Sequence, residues 1–455
     1  HLCDRRQRQM CIRDRDEAEI ASLMNLYRKA YHVFAVLVFA AGMAVLPFIH
    51  LFMKNNSYSL SYIRVLYAMW LVRTVLSYLL TYRKSLLIAD QKEYIASITG
   101  LILNVVSYLA IILLVTWEQN YLLALGIGTV TEVVLNIWIS WYVEQKYPFL
   151  RQRRKEKSTS SLTKRIVRDL KSLFISRISE KMLYCTDNLI ISGFIGVGTV
   201  GRYANYCMIT QAISNILTIL ANTIQPTVGD YFTEKNRQRN YEILRQLTFG
   251  FFCIASVVSV GLFSLITPFV RDIWLGPSYE LGWGITVFCI VVLLVRIMGL
   301  PLSLVMGVTG LFEKEKNVGA SSALLNLIVS LALVKPYGMA GVLLGTLLSY
   351  LLQILYRYII YFRDFLEMPG EALRYAQDIG EYLAVIAGEV LLMQKIVPLI
   401  YGAGGMLLFC VCFLLCIAIP LLLDLVIFGR GWRLQSIVTC LLYTSPSPRD
   451  RTRSR

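Results

Sequence analysis

Charge is scarce in this chain. Lysine, arginine, aspartate and glutamate make up 16% of its 455 residues, against 56% hydrophobic, and the mean hydropathy is +0.58. That excludes an ordinary soluble globular domain. Histidine is scarcer still, with three residues: His1 at the start, and His32 and His50 near opposite ends of one apolar segment. No histidine-based metal cluster is available. Long polar segments are missing too, so there is no room for a soluble catalytic domain, and EF-hand, Walker, zinc-ligand and GxSxG patterns are absent. Cys185, Cys207, Cys253, Cys289, Cys410, Cys412 and Cys416 all sit in apolar runs. They read as small core or lipid-facing residues, with neither disulfide nor ligand spacing. The class that survives is a polytopic membrane protein with no catalytic residues, no cofactor and no metal.

The two ends stand apart from the rest. A coding sequence for Met10 to Arg15, ATGTGTATAAGAGACAG, has a reverse complement that, shifted by one base, reads CLLYT, the residues Cys440 to Thr444. RRQRQMCIRDR and CLLYTSPSPRD resemble transposase-type sequencing adapters translated in frame. Residues 1–15 and 440–455 are therefore read as non-native tails and set aside from fold reasoning. Each tail carries a net +3, so the formal +16 falls to +10, an ordinary positive excess for an inner-membrane protein. A genuine start at Asp16 implies a missing N-terminus.

Windows of about 20 apolar residues give twelve expected spans: 32–53, 60–82, 94–116, 120–142, 172–195, 200–226, 247–269, 283–306, 318–334, 338–361, 379–400 and 405–428. Lysine and arginine alternate across them. Arg28 and Lys29, then Arg83, Lys84 and Lys92, the run from Lys146 to Lys171, Lys235 to Arg245, Lys314 and Lys316, Arg357 to Arg374, and Arg430 and Arg433 mark one set of connections. The other set holds little beyond Lys54, Arg271 and Lys335. By the positive-inside rule the first set is cytoplasmic, and both ends of the genuine fragment with it. The basic loop from Glu144 to Lys171 reads as a solvated linker between two bundles; no nucleic-acid partner is expected.

One span is anomalous. Ile175 to Gly196, ISRISEKMLYCTDNLIISGFIG, is long enough to cross a bilayer yet holds Arg177, Glu180, Lys181 and Asp187. At about 100° per residue these share an arc of roughly 120° with Tyr184 and Asn188, opposite Ile178, Met182, Cys185 and Leu189. An ionised side chain near the bilayer centre costs about 3 kcal/mol, so the stripe should face a partner helix or a wet cavity. Arg177 and Lys181, one turn apart, are the leading anion donors. Arg73 and Arg296, each mid-span, come next, whereas Arg64 lies near a helix end and reads as snorkelling. Glu180 and Asp187 admit two readings: neutralising Arg177 and Lys181 by local pairing, or a proton or sodium site, for which Asp187 is better placed. Glu132 and Asn136, at i and i+4, form a second patch, either helix glue or a site. Asn205 joins the cavity candidates, and Gly193, Gly196, Gly198 and Gly201 suggest a tight hairpin after the stripe.

Several stretches resemble the oligosaccharide flippases (Wzx-like polysaccharide exporters) of the multidrug/oligosaccharidyl-lipid/polysaccharide exporter superfamily. They are DNLIISGFIGVGTVGRYANYCMI (Asp187 to Ile209), TPFVRDIWLG (Thr267 to Gly276) and NLIVSLALVKPYGMAGVLLGTLLS (Asn326 to Ser349), with KSLLIADQKEYI (Lys84 to Ile95) and EQKYPFL (Glu144 to Leu150) pointing to a polysaccharide-exporter branch. The resemblance implies an all-α membrane protein of two facing bundles (MATE/MOP-like) plus two accessory C-terminal helices, with twelve of fourteen spans present. On that register residues 16–168 are an N-terminal bundle lacking its first two helices, 169–366 a C-terminal bundle, and 367–439 the accessory helices.

The resemblance further implies transport of a polyprenyl-diphosphate-linked oligosaccharide by alternating access, with membrane lipid and other polysaccharide-assembly proteins as partners. The diphosphate would exchange water for charge-assisted donors such as arginine and lysine. A drug/cation antiporter of the same superfamily, with an acidic and aromatic cavity, is the alternative. A membrane-embedded glycan polymerase or ligase is a third, disfavoured by the lack of a long external loop and of intramembrane histidine.

Overall fold

A computed structural model describes residues 17–53, 58–118, 120–151, 185–232, 236–311, 316–402 and 404–429. Among the described residues the chain is almost wholly helical and contains no strand. It divides into two compact units, His1–Lys171 and Ser172–Arg455. Eleven helices are long and apolar enough to span a membrane, and each overlaps one of the expected spans. The twelfth, 172–195, lies largely outside the described residues.

In the first unit α1 (Glu17–Val45), α2 (Leu60–Thr81), α4 (Glu93–Glu118) and α5 (Tyr121–Lys146) are the long helices, with the short α3 (Lys84–Ala89) between α2 and α4. Side chains cap two of them. Ser59 Oγ accepts from the Tyr62 amide at 3.3 Å, and Asn120 Oδ1 accepts from Leu122 and Leu123, satisfying amides that a helix start leaves open. Helix α5 packs on α2, α3 and α4, and α1 on α2. Their outward faces carry Leu37, Val106, Leu113 and other large apolar groups in the open, as expected where the solvent is hydrocarbon.

The stretches KSLLIADQKEYI and EQKYPFL meet at one end of this unit. Tyr147 donates to Asp90 at 2.5 Å, Lys92 pairs with the same carboxylate, and Arg83 pairs with Glu144 at 2.5 Å. Partial burial pushes the Asp90 carboxyl up, but hydrogen bonds from Lys92 and Tyr147 outweigh it and hold the group below 3.8. Burial and the Asp90 carboxylate push the Tyr147 phenol well above its usual 10.0.

The second unit opens with a helix over 185–194, here α6. It continues with α7 (Val197–Tyr231), α8 (Arg237–Pro268), α9 (Trp283–Thr309), α10 (Lys316–Tyr337), α11 (Met339–Ile360), α12 (Pro369–Tyr401) and α13 (Met406–Phe428). The turn after α6 falls at Ile195 and Gly196; Gly193 lies within α6, and Gly198 and Gly201 within α7. Helix α9 packs on α7, α8 and α11, while α12 and α13 both pack on α8. Accordingly 56% of the apolar stretch of α8 and of α9 is buried, so these two form the centre of the unit. After Pro268 the chain widens into a π-helical turn, Phe269–Trp274.

Helices α10 and α11 form the closest pairing. One residue, Gly338, joins them at φ 56° and ψ −133°, a conformation essentially confined to glycine. Small residues then recur every fourth position on α11: Gly341, Gly345 and Ser349. A Cβ on Gly345 would stand 2.5 Å from Ser330 Oγ, and Ser349 Oγ donates to the Ser322 carbonyl at 2.9 Å. Backbones approach this closely only where side chains are this short, the usual device for packing helices in lipid.

Candidate functional site

The α10–α11 hairpin holds polar groups against α6. Thr346 Oγ1 donates to Asp187 Oδ2 at 2.6 Å, and Asn326 Nδ2 donates to Asp187 Oδ1 at 3.3 Å and to Thr346 Oγ1 at 2.9 Å. Thr186 Oγ1 donates to Asn326 Oδ1 at 3.0 Å, which fixes the orientation of the amide. One turn along, Ser330 Oγ donates to the Val342 carbonyl at 3.3 Å, and the buried Ser322 Oγ has no hydrogen-bond partner among the described residues. Asp187 is 4% exposed, Thr346 7%, and Asn326, Ser330 and Ser322 are fully enclosed.

The chemistry of this cluster follows from what it contains. Among the described residues the donors to Asp187 are a hydroxyl and an amide, both neutral, so they solvate the carboxylate without balancing its charge. The available groups are carboxylate, hydroxyl, amide and main-chain oxygens, a set suited to hard cations and protons and unsuited to soft metals. Among the described residues no group of three or more histidine, cysteine, aspartate or glutamate side chains is arranged to hold a metal ion.

In the first unit, Arg73 and Glu132 meet. Arg73 Nε lies 2.6 Å from Glu132 Oε2, and its guanidinium stands over the Trp70 ring at 5.0 Å. Gly128, one turn before Glu132, leaves room for the guanidinium at its surface. The contact extends along the α2–α5 seam through Thr81, which donates to Asn136 Oδ1 at 3.1 Å, and Asn136 Nδ2, which donates to the Glu132 carbonyl. Two candidates assigned to different tasks by sequence, Arg73 as anion donor and Glu132 as coupling acid, are thus each other's partners.

The remaining candidates are dispersed. Arg296 on α9 is half-buried with its guanidinium over the Tyr350 ring of α11 at 5.4 Å. Asn205 donates to the Gly201 carbonyl within α7, and Asn188 is exposed on α6. Arg177, Glu180, Lys181 and Tyr184 lie outside the described residues. The hydrogen bonds that described residues give to Asp187 come from α10 and α11, not from its own helix.

Sequence reasoning passed over several polar residues that the fold buries. Asn326, Ser330 and Thr346 were visible only as part of a family-like stretch, because a serine or threonine in an apolar run carries no signal until its partner is known. Glu389 and Asp424, lone acids in the apolar runs of α12 and α13, carried the same signal as Glu132. Arg245 on α8 pairs with Asp378 on α12 through two hydrogen bonds, 2.6 and 3.1 Å.

Residues 9–232 match the profile of the family described as "Polysaccharide biosynthesis protein", a little under half of the chain and beginning inside the first adapter-like tail. Among solved structures the chain is similar to "Lipid II flippase MurJ, inward closed conformation", at 15% identity and a TM-score of 0.64, covering 91% of this chain and 87% of that one. It also aligns with a point mutant of the Vibrio cholerae MATE transporter VcmN, at 11% identity and a TM-score of 0.48 over 76% of this chain and 78% of that one. No curated protein matches. The fold is similar to that of the MurJ flippase. The fold and the eleven long apolar helices of the described residues are those of a multi-pass membrane protein.

Proposed function

We propose that this protein translocates polyprenyl-diphosphate-linked oligosaccharide repeat units across the bacterial inner membrane for surface polysaccharide assembly, by alternating access between its two helix bundles. Asp187 carries the proposal. An acid buried within a membrane-spanning helix, whose donors among the described residues are all neutral, is costly to keep and has a ready use as the place where a coupling proton or sodium ion binds. The description of the matched family points to a glycan substrate, and the MurJ-like fold suits a lipid-linked one.

Arg177 and Lys181, with Tyr184 and Asn188 on the same arc, are the proposed ligands of the diphosphate. Charge-assisted hydrogen bonds from a guanidinium and an ammonium replace the hydration that the diphosphate loses on entering the membrane. Arg296 and Asn205 are secondary candidates. Arg73 contributes only if its pair with Glu132 opens, so these two residues form a gate in place of two separate sites. The alternating lysine and arginine content supports cytoplasmic ends for the fragment.

The test is translocation of a labelled polyprenyl-diphosphate sugar in proteoliposomes. Arg177→Ala combined with Lys181→Ala is expected to abolish transport while Asp187→Asn uncouples it from the ion gradient. Parent rates in the double variant would remove the assigned donors. A parent-like ion dependence in Asp187→Asn would remove the coupling site.

A further inference from the structure

Helices α8 and α12 meet in two layers, and the layers are supplied differently. In one, Asp378 of α12 receives Arg245 of α8 through two hydrogen bonds. Eleven residues further along each helix, about 16 Å by the helical rise, Glu389 of α12 meets Ser256 of α8 instead. Ser256 Oγ donates to Glu389 Oε2 at 2.6 Å. Asp424 of α13 completes the second layer, coupled electrostatically to Glu389 and neighbouring Ser256. The three residues are 3%, 0% and 4% exposed in the order Glu389, Ser256, Asp424.

The hydrogen bonds do not close. Ser256 has one hydroxyl proton and it is committed, which leaves Glu389 Oε1 and both carboxylate oxygens of Asp424 buried with no donor among the described residues. An unmet buried acceptor costs about 1–3 kcal/mol, more for a charged one, and two carboxylates side by side repel as well. Cys253 on α8 is a titratable neighbour of both acids. Cys253 is not cationic, and the ion pairs among the described residues include neither acid. The first layer has its positive charge within the protein. The second has two acids and a serine hydroxyl and, among the described residues, no paired cation.

A cavity lies toward the Arg271 end of the same helices. It measures about 650 Å³ and is lined by Ser264, Arg271, Asp272, Gln394 and Tyr401 among others. Gln394 follows Glu389 by five residues and Ser264 follows Ser256 by eight, roughly 7.5 and 12 Å along the helices. Val260 and Met393, both fully buried, close the interval.

We propose that Glu389, Asp424 and Ser256 form a binding site for one monovalent cation, a sodium ion or a proton, separate from the Asp187 cluster. Five side-chain oxygens and no nitrogen or sulfur ligand suit a hard cation, and a single positive charge relieves both the unmet acceptors and the repulsion. The site does not rest on the function proposed for Asp187.

The full chain carrying Asp187→Asn, purified in detergent, isolates the site. One arm measures ²²Na⁺ binding at alkaline pH; the other follows protonated-carboxyl infrared absorption against pH in sodium-free choline chloride. Saturable ²²Na⁺ binding that falls ~10-fold or more in Glu389→Gln or Asp424→Asn identifies sodium. A titrating carboxyl band that disappears in the double variant, without ²²Na⁺ binding, identifies the proton. If neither signal depends on these two acids, the proposal fails. Ser256→Ala retains both acids and weakens the same signal, a check should the acid variants fold poorly.

Discussion

Thr346 of α11 donates its hydroxyl hydrogen to Asp187 of α6 at 2.6 Å, and Asn326 of α10 holds the other carboxylate oxygen. Three helices of one unit therefore meet at a single acid. Thr346→Val keeps the volume and removes the shorter bond, leaving a buried carboxylate oxygen unmet. The expected loss is about 1–3 kcal/mol, read as a lower midpoint of thermal unfolding in detergent. Asp187→Asn is expected to retain the fold, its amide oxygen accepting from Asn326 and its amide nitrogen donating to the Thr346 hydroxyl oxygen.

Arg73 and Glu132 are neither fully buried nor free, with 28% and 33% of their side chains exposed. Removing one partner strands the other, whereas removing both does not. Arg73→Ala alone should cost about 1–3 kcal/mol, between the values for surface and buried pairs. Arg73→Ala with Glu132→Ala should recover much of that loss in a double-mutant cycle of thermal stability.

Gly345 faces Ser330 where α10 and α11 approach closely, and an added Cβ would also stand 3.1 Å from the Asn326 carbonyl oxygen. Gly345→Ala is expected to spread the hairpin and destabilise the second unit by about 1–3 kcal/mol. The displaced Asn326 should in addition weaken ion dependence of transport, an effect that Gly370→Ala, in open surroundings, should not reproduce.

The contact between Tyr147 and Asp90 makes its surroundings pH-sensitive at both extremes. The folded carboxyl titrates below its usual 3.8, so its stabilisation is present above that value and is lost as pH falls through the lower folded one. The folded phenol titrates above its usual 10.0, so its stabilisation is present below 10.0 and declines at higher pH. Amide exchange around Asp90 should therefore be slowest between these limits. Tyr147→Phe should remove the alkaline limb and leave the acid limb to Lys92.

How much of this was legible beforehand differs by kind of residue. The spans were, because a helix in hydrocarbon must satisfy its own backbone and so announces itself as some twenty apolar residues. Gly338 could be suspected from a hairpin of PYGM, but its backbone angles could not. Asp187 was recognisable as out of place. Its partners were not, since Asn326 and Thr346 lie far away in sequence and look like neutral residues tolerated in any span.

Composition and periodicity alone determined that this is a helical membrane protein with acids and bases where lipid should forbid them. They did so because the bilayer taxes each residue separately, whatever its neighbours are. Which charge answers which was decided only in three dimensions. Arg73 found Glu132, Arg245 found Asp378, Asp187 found neutral hydroxyl and amide groups, and Glu389 with Asp424 found a single serine. Pairing energy depends on distances set by helix packing, and those distances are a property of the fold.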